Sequence, residues 1–321
     1  MKKKMPYIRS FFRIFRQIFV NGLLRQGYRQ KIPTSIIIEP TNACNLKCSC
    51  CPQGNVLQAG RTKGFMSRTT FLEILKNIDV PLKEISLYLH GEPFLNKDLD
   101  FFAAQIDKMK NTLTTIYSNG YNIDMELLQK VLKYKKVRFS FSMDIATQEI
   151  YENIRFPAKY SNAIDFLSVI NNVFAENNRK YELTMIADKN IDEQQLSEQL
   201  FSQYSQLKKI SFGTKFPWPE HFYTGNLENN ISKKRKLCNQ IINGISVFWT
   251  GEVSMCSYDY SGKLIIGDLT KQALSEIYNS QQARKIRKKH FFYQCNKISI
   301  CKNCILPRFN SKTTVFNHTK K

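Results

Sequence analysis

The distribution of cysteine is the feature that most constrains this chain. Nine cysteines occur among 321 residues, and four of them lie between Cys44 and Cys51. The other five lie beyond residue 237, and the stretch between the two groups contains none. Clustered cysteines in a chain without a recognisable secretion signal favour metal binding over disulfide bonds. The sequence therefore predicts two metal-binding regions.

The first group has a spacing suited to an iron–sulfur cluster. Cys44, Cys48 and Cys51 follow the pattern C-x3-C-x2-C. Three thiolates on one loop can ligate three irons of a cubane cluster and leave one iron open to a small molecule. Cys50 could be a fourth ligand, and closely spaced cysteines also suit zinc. The residues alone leave these alternatives open.

Strands and helices alternate between residues 33 and 217. Apolar, β-branched runs predict six strands: Ser35–Glu39, Glu84–Leu89, Leu113–Ser118, Val137–Ser142, Glu182–Ala187 and Lys209–Phe212. Amphipathic stretches predict helices at Thr69–Ile78, Asp98–Asn111, Asp124–Tyr134, Ser161–Glu176 and Asp192–Leu207. Such alternation predicts parallel strands with right-handed crossovers. The fold class is thus α/β, a partial (β/α)6 TIM-type barrel with its chemistry at the carboxyl ends of the strands.

The cysteine loop and its position after the first strand resemble the radical S-adenosylmethionine (SAM) superfamily. The resemblance implies that Cys44, Cys48 and Cys51 hold a [4Fe–4S] cluster whose open iron binds SAM. Cys50 stands where the family usually has an aromatic residue, and we interpret it as a non-ligand lining the site. After the second strand, Leu87–Pro93 resembles the family's glycine–glutamate segment, which implies that Gly91 and Glu92 approach the SAM ammonium group. His90 replaces the family's first glycine, and we interpret it as a pocket-wall or structural histidine.

Three further SAM contacts are expected at the ends of the third and fourth strands. By the same resemblance, Asn119, Ser142 and Arg155 would touch the SAM ribose and carboxylate. Each assignment has a structural alternative, since Asn-Gly is a common turn and Asp144 would be a suitable helix N-cap. No general acid, base or nucleophile is assigned.

The second cysteine group forms a four-cysteine site. Cys238, Gly251 and Cys256 give C-x12-G-x4-C around a predicted hairpin of Ile245–Trp249 and Glu252–Cys256, and Cys301 and Cys304 follow a predicted helix at Leu274–Lys289. The residue types fit a second [4Fe–4S] cluster or a structural zinc. The pattern resembles the SPASM/twitch extension of radical SAM enzymes, in its shorter form with one auxiliary cluster. Cys295 is left over as a bystander thiol or a substitute ligand.

The predicted organisation has four parts: a basic amphipathic N-terminal helix at 1–32, the barrel at 33–217, a small α+β SPASM/twitch domain at 218–308 and a basic, frayed tail at 309–321. The formal net charge is +22. The N-terminal helix could pack against the barrel or lie on an anionic membrane surface. Nucleic-acid binding lacks a recognisable module. We expect a cytoplasmic protein.

The expected function is a radical SAM oxidoreductase acting on a sugar or aminocyclitol-type molecule, with an auxiliary [4Fe–4S] cluster accepting an electron. The resemblance also implies an external one-electron donor such as flavodoxin or ferredoxin. Two alternatives stay open. One is maturation of a ribosomal peptide, and the other is a non-catalytic iron–sulfur or zinc protein that binds nucleic acid.

Overall fold

Six parallel strands form the main sheet in the computed structural model, which describes residues 28–52, 60–213, 236–308 and 313–318. They are β1 (Ser35–Ile38), β2 (Glu84–Leu87), β3 (Leu113–Ser118), β4 (Val137–Ser142), β5 (Tyr181–Ile186) and β6 (Leu207–Gly213). Each pairs in parallel with the next one along the chain. Every strand lies within two residues of its predicted bounds, and the sheet is unclosed, so the partial (β/α)6 barrel is confirmed.

Among the described residues of this part, six α-helices follow β1 to β5. They are α1 (Arg68–Lys76), α2 (Leu99–Asp107), α3 (Met125–Leu132), α4 (Gln148–Ile154), α5 (Tyr160–Glu176) and α6 (Glu193–Gln203). Several begin at side-chain caps: Ser67 accepts from the Thr70 amide, and Asp124 and Asp192 each accept from two amides of the first turn. These caps satisfy amides that have no partner within the helix. The short α4 was not predicted.

The two faces of the sheet differ in polarity. Residues such as Ile85, Ile116, Phe139 and Leu183 are fully buried in the apolar core that the helices cover. Side chains alternate between faces along a strand. The strand residues that alternate with these apolar ones therefore face the inside of the barrel, where hydroxyl and carboxyl groups predominate.

The second cysteine group lies on a small unit continuous with this sheet. It contains β7 (Ser246–Val247), β8 (Glu252–Ser254), β9 (Ile265–Asp268), α7 (Asn239–Asn243), α8 (Leu274–Tyr278), α9 (Gln281–Phe291) and α10 (Ser299–Lys302). β7 pairs in parallel with β1, and β7 and β8 form the predicted antiparallel hairpin, which turns at Gly251 with φ +97°. The auxiliary unit is thus attached beside the strand that precedes the first cysteine loop.

Two predictions for the C-terminal part were wrong. The helix expected at Leu274–Lys289 is two helices, because Ser280 caps α9 by accepting from the Ala283 amide and starts a new axis. The tail is not frayed at 313–317: Thr313–Asn317 forms β10, antiparallel to β6. An unclosed barrel leaves the β6 edge without a further parallel strand, and the β-branched residues of β10 cover it.

Some expectations fall outside the described residues. Residues 1–27 are not described, so the basic helix stays a prediction there, whereas residues 28–32, included in its predicted bounds, are not helical. Among the described residues, no helix has the length and hydropathy needed to cross a bilayer.

Candidate active site

The first cysteine loop leaves the carboxyl end of β1 and packs against the end of α4. The Lys47 amide donates to the Phe156 carbonyl (2.7 Å), and the Ser49 amide donates to that of Ile154 (3.0 Å). The side chains of Cys44, Cys48, Cys50 and Cys51 are all half-buried. The loop is therefore fixed by main-chain bonds while its thiols stay accessible at the mouth of the barrel.

Two side-chain donors approach the thiols of this loop. The amide Nδ2 of Asn119 lies 3.7 Å from the Cys44 sulfur, and a guanidinium nitrogen of Arg155 lies 4.0 Å from the Cys48 sulfur. Burial raises the pKa of both thiols above its ordinary value. Bound iron would offset this cost, since a coordinating thiol is deprotonated. Together with the donors, the thiols fit an anionic [4Fe–4S] cluster.

The Gly91–Glu92 segment docks directly on the cysteine loop. The Glu92 amide donates to the Ala43 carbonyl (2.8 Å). A Cβ placed on Gly91 would lie 2.3 Å from the Thr41 carbonyl oxygen and 2.5 Å from that of Ala43. Only glycine permits this approach of two main-chain segments.

The Glu92 carboxyl group is buried beside the loop. It accepts hydrogen bonds from the Asn119 amide (2.7 Å), the Ser118 hydroxyl (2.8 Å) and the Phe94 amide (3.1 Å). Burial outweighs these bonds and raises the pKa of Glu92 to about 7. A carboxylate with this environment is suited to pair with an amino group brought by a ligand.

The strand-end residues predicted to touch SAM lie around the same loop. Asn119 also donates to the Asn45 side chain (2.8 Å). Ser142 ends β4 half-buried, opposite Thr184 of β5. The structure thus brings Gly91, Glu92, Asn119 and Arg155 to one side of the cysteine loop, and their contacts with SAM remain predictions.

Asp144 forms an ion pair and does not cap a helix. The N-cap of α4 is Thr147, so the helix-cap interpretation of Asp144 was wrong. Asp144 instead accepts from Arg155 Nε (2.7 Å) and from the Ile186 amide (2.6 Å). Burial lowers the pKa of Arg155, but the charge of Asp144 outweighs it and holds that pKa above its ordinary value. The pair presents a permanent cation to Cys48.

A buried ionic group behind the Gly91–Glu92 segment was missed. Glu39, fully buried at the end of β1, forms a salt bridge with Arg61, and its other oxygen lies 3.1 Å from His90 Nδ1. Burial would raise the pKa of Glu39, but His90 and Arg61 outweigh it, so this pKa is lowered. A carboxylate directly after an apolar strand was the available signal.

Four cysteines of the second group lie around one cavity. Cys238, Cys256, Cys301 and Cys304 line one cavity, together with His290 of α9. Cys295 does not line this cavity and lies 3.5 Å from His290 Nδ1. Among the described residues, no group of three or more histidine, cysteine or acidic side chains is arranged to hold a single metal ion. Four thiols around one cavity are a ligand set for a [4Fe–4S] cluster or for a structural zinc.

The inner face of the barrel is lined largely by polar side chains. Its side chains fall into rows set by strand register, and its polar members include Glu84, Ser86, Thr115, Tyr117, Arg138, Ser140, Ser142, Glu182, Thr184, Lys209 and Ser211. The rings of Tyr88 and Tyr117 lie 4.5 Å apart. Burial and the nearby thiols of Cys256, Cys304 and Cys238 raise the pKa of Tyr258 to about 12, and Tyr258 also interacts with Tyr88. Tyr258 therefore lies between the barrel interior and the auxiliary cysteines.

Comparison with known proteins agrees with this architecture. Residues 38–200 match the profile of the radical SAM superfamily, and residues 238–305 match that of an iron–sulfur cluster-binding domain. The S-adenosyl-L-methionine-dependent 2-deoxy-scyllo-inosamine dehydrogenase of Niallia circulans is 24% identical over 280 residues, which cover 85% of this chain and 93% of that enzyme.

Solved structures show the same fold. BtrN in complex with AdoMet and 2-DOIA superimposes with a TM-score of 0.55 at 18% identity, covering 86% of this chain and 94% of BtrN. Streptococcus suis SuiB bound to S-adenosylmethionine gives 0.61 at 16% identity, covering 88% and 75% of the two chains. AnSMEcpe with bound AdoMet gives 0.60 at 16% identity, covering 86% and 93%.

Proposed function

Because the chain belongs to the radical SAM superfamily, we propose that it oxidises a small polyhydroxylated substrate of the sugar or aminocyclitol type. The observation that carries this proposal is the polar inner face of the barrel, together with Tyr258, which is close both to Tyr88 after β2 and to the auxiliary cysteines. The similarity to a dehydrogenase of an aminocyclitol along 93% of that enzyme supports it.

The inner face offers the groups that a polyhydroxylated ring requires. Thr115 donates to Glu84 (2.6 Å), and the hydroxyls of Ser140 and Thr184 lie 3.0 Å apart. Hydroxyl groups both donate and accept, so they can exchange these bonds for bonds to a ligand. The carboxylate of Glu84 would suit an amino substituent on the ring.

The residues at the barrel mouth have distinct proposed roles. Cys44, Cys48 and Cys51 hold the cluster, and Asn119 and Arg155 place donors beside two of these sulfurs. Glu92 accepts from the SAM amino group, Gly91 admits the close approach, and Ser142 contacts SAM from the end of β4. When bound, the cluster and SAM supply a 5′-deoxyadenosyl radical that abstracts hydrogen from carbon, and an auxiliary cluster supplies an electron acceptor.

The position of the auxiliary site supports oxidation as the net reaction. Cys238, Cys256, Cys301 and Cys304 are its proposed ligands. Tyr258 lies two residues after Cys256 and interacts with Tyr88. This proximity supports an electron acceptor close to the proposed substrate site. Flavodoxin or ferredoxin remains the proposed electron donor.

The test uses anaerobically reconstituted enzyme with SAM, a strong reductant and a panel of aminocyclitols, amino sugars and cysteine- or serine-containing peptides. We expect an aminocyclitol or sugar to accelerate 5′-deoxyadenosine formation and to yield a carbonyl product lighter by two hydrogens. Acceleration by peptides alone would contradict the proposal and favour the peptide-maturase alternative.

A matched pair of variants tests the inner face. Ser140→Ala removes an inner hydroxyl, whereas Ser168→Ala removes an exposed hydroxyl on α5 that bonds to its own helix. We expect the substrate KM to rise about 5–30-fold in Ser140→Ala, as loss of a ligand hydrogen bond worth about 1–2 kcal/mol predicts, and to stay unchanged in Ser168→Ala. Equal KM values would refute this substrate site.

A further inference from the structure

His90 touches both halves of the molecule. On the barrel side it directly precedes Gly91 and Glu92, and its Nδ1 lies 3.1 Å from Glu39 Oε1 and 3.1 Å from an Arg61 guanidinium nitrogen. On the auxiliary side its Nε2 lies 3.2 Å from the Ser257 carbonyl oxygen. Because a carbonyl accepts, Nε2–H donates to Ser257. Ser257 is the residue after Cys256.

Glu39 and Arg61 make further contacts between the barrel and the auxiliary unit. Glu39 accepts from the Trp249 amide (3.2 Å) through its other carboxylate oxygen. The Arg61 guanidinium lies 3.8 Å from the centre of the Phe248 ring and donates to the Tyr260 carbonyl (3.4 Å). The side chains of Glu39, Arg61 and His90 therefore link the β7–β8 hairpin and the 256–260 loop to the Gly91–Glu92 segment.

The Gly91–Glu92 segment on the barrel side has little freedom to move independently of the cysteine loop. Gly91 is pressed against the Thr41 and Ala43 carbonyls, and the Glu92 amide bonds to Ala43. A displacement of Gly91 or Glu92 by a ligand would also act on His90, the residue directly before Gly91. On the other side, the Ser257 hydroxyl donates to the Gln240 side chain (3.3 Å), two residues after Cys238. The His90 imidazole thus contacts a loop that begins at Cys256 and is hydrogen-bonded to a residue near Cys238, and both cysteines are proposed auxiliary ligands.

We propose that His90, held by Glu39 and Arg61, is a positioning residue that couples SAM binding to the auxiliary-cluster loop at Cys256–Tyr260. SAM bound at Gly91–Glu92 stabilises one arrangement of the loop, and by reciprocity the ordered loop favours SAM binding. The inference rests on the radical SAM assignment and does not depend on the identity of the substrate.

Hydrogen exchange of the full, reconstituted protein tests the coupling directly. SAM is added anaerobically without reductant, so it binds but is not cleaved, and its binding is verified by equilibrium dialysis. In the wild type we expect SAM to slow amide exchange in residues 257–260 at least about fivefold, at the low end of typical coupling free energies. SAM that binds without slowing exchange there overturns the proposal.

His90→Asn is the informative variant, because it retains a polar group near Glu39 and Arg61 but is too short to reach Ser257. We expect the SAM-dependent slowing at 257–260 to be lost in His90→Asn and largely restored in His90→Gln, which places a donor nearer the Nε2 position. His318→Asn is the matched control: that ring also contacts a main-chain carbonyl, Leu207 at 3.0 Å, but on β6 away from both cysteine sites. It should behave as wild type.

The outcomes are separable. His90→Asn with both clusters loaded and unchanged slowing at 257–260 refutes the proposal. If His90→Asn does not fold, Arg61→Gln decides, because it leaves the His90 ring in place and removes the guanidinium that fixes it. Loss of the slowing in Arg61→Gln supports the coupling, and unchanged slowing overturns it. Failure of SAM to bind the wild type would instead contradict the radical SAM assignment.

Discussion

Replacement of Gly91 by alanine should destabilise the protein, because it separates the Gly91–Glu92 segment from the cysteine loop. The added Cβ would lie 2.3 Å from the Thr41 oxygen and 2.5 Å from the Ala43 oxygen. Both are main-chain atoms, so no flexible side chain can move aside. The two segments must separate, which weakens the 2.8 Å hydrogen bond from the Glu92 amide to Ala43.

The expected cost follows from two contributions. Overpacking of this kind costs about 1–3 kcal/mol, and the weakened hydrogen bond adds about 1 kcal/mol. The variant should therefore be about 2–4 kcal/mol less stable. At about 2–4 °C per kcal/mol for a large domain, the unfolding midpoint should fall by about 4–16 °C.

Thermal unfolding followed by circular dichroism, with iron analysis after anaerobic reconstitution, measures this effect. The matched control is Gly213→Ala at the end of β6, where an added Cβ would meet no atom of the described residues within 4 Å. We expect Gly91→Ala to lose stability and part of its SAM-cluster iron while Gly213→Ala loses neither. Equal midpoints and equal iron contents for the two variants would refute the packing argument.

Further predictions concern charge and ligand assignment. Because burial raises the pKa of Glu92 to about 7 and SAM should bind its ionised form, SAM affinity should rise between about pH 6 and 8. Equilibrium dialysis should show that Glu92→Gln removes this rise, and an identical rise in both proteins would contradict the role of Glu92. Asp144→Asn leaves Arg155, whose side chain is only 12% exposed, without its carboxylate and should cost about 3–5 kcal/mol in denaturant unfolding. A loss below about 1 kcal/mol would show that the pair is not structurally important. Cys301→Ala should reduce iron and sulfide to about half, whereas Cys295→Ala should retain both. A loss of iron in Cys295→Ala would make Cys295 a ligand.

Short-range patterns made the barrel predictable. The alternation of apolar runs such as Val137–Ser142 with capped amphipathic helices fixes the order and direction of six strands. The cysteine spacings identify both metal-binding regions for the same reason, since their ligands are close in sequence or frame a hairpin.

Contacts between distant segments could not be predicted in this way. Glu39 joins Arg61, His90 and the Trp249 amide, which lie 22, 51 and 210 residues along the chain. None of these residues has a local pattern that marks its partners. The strand β10 was missed for the same reason: its pairing depends on an open β6 edge, which only the assembled sheet reveals.

The most direct test of the central claim is reductive cleavage of SAM. Anaerobically reconstituted protein is mixed with SAM and a strong reductant, and 5′-deoxyadenosine is quantified for the wild type and for Cys44→Ala, Cys48→Ala and Cys51→Ala. We predict formation by the wild type and none by the three variants. Assembled iron–sulfur clusters that bind SAM without cleaving it, or cleavage that survives loss of these thiols, would contradict the account.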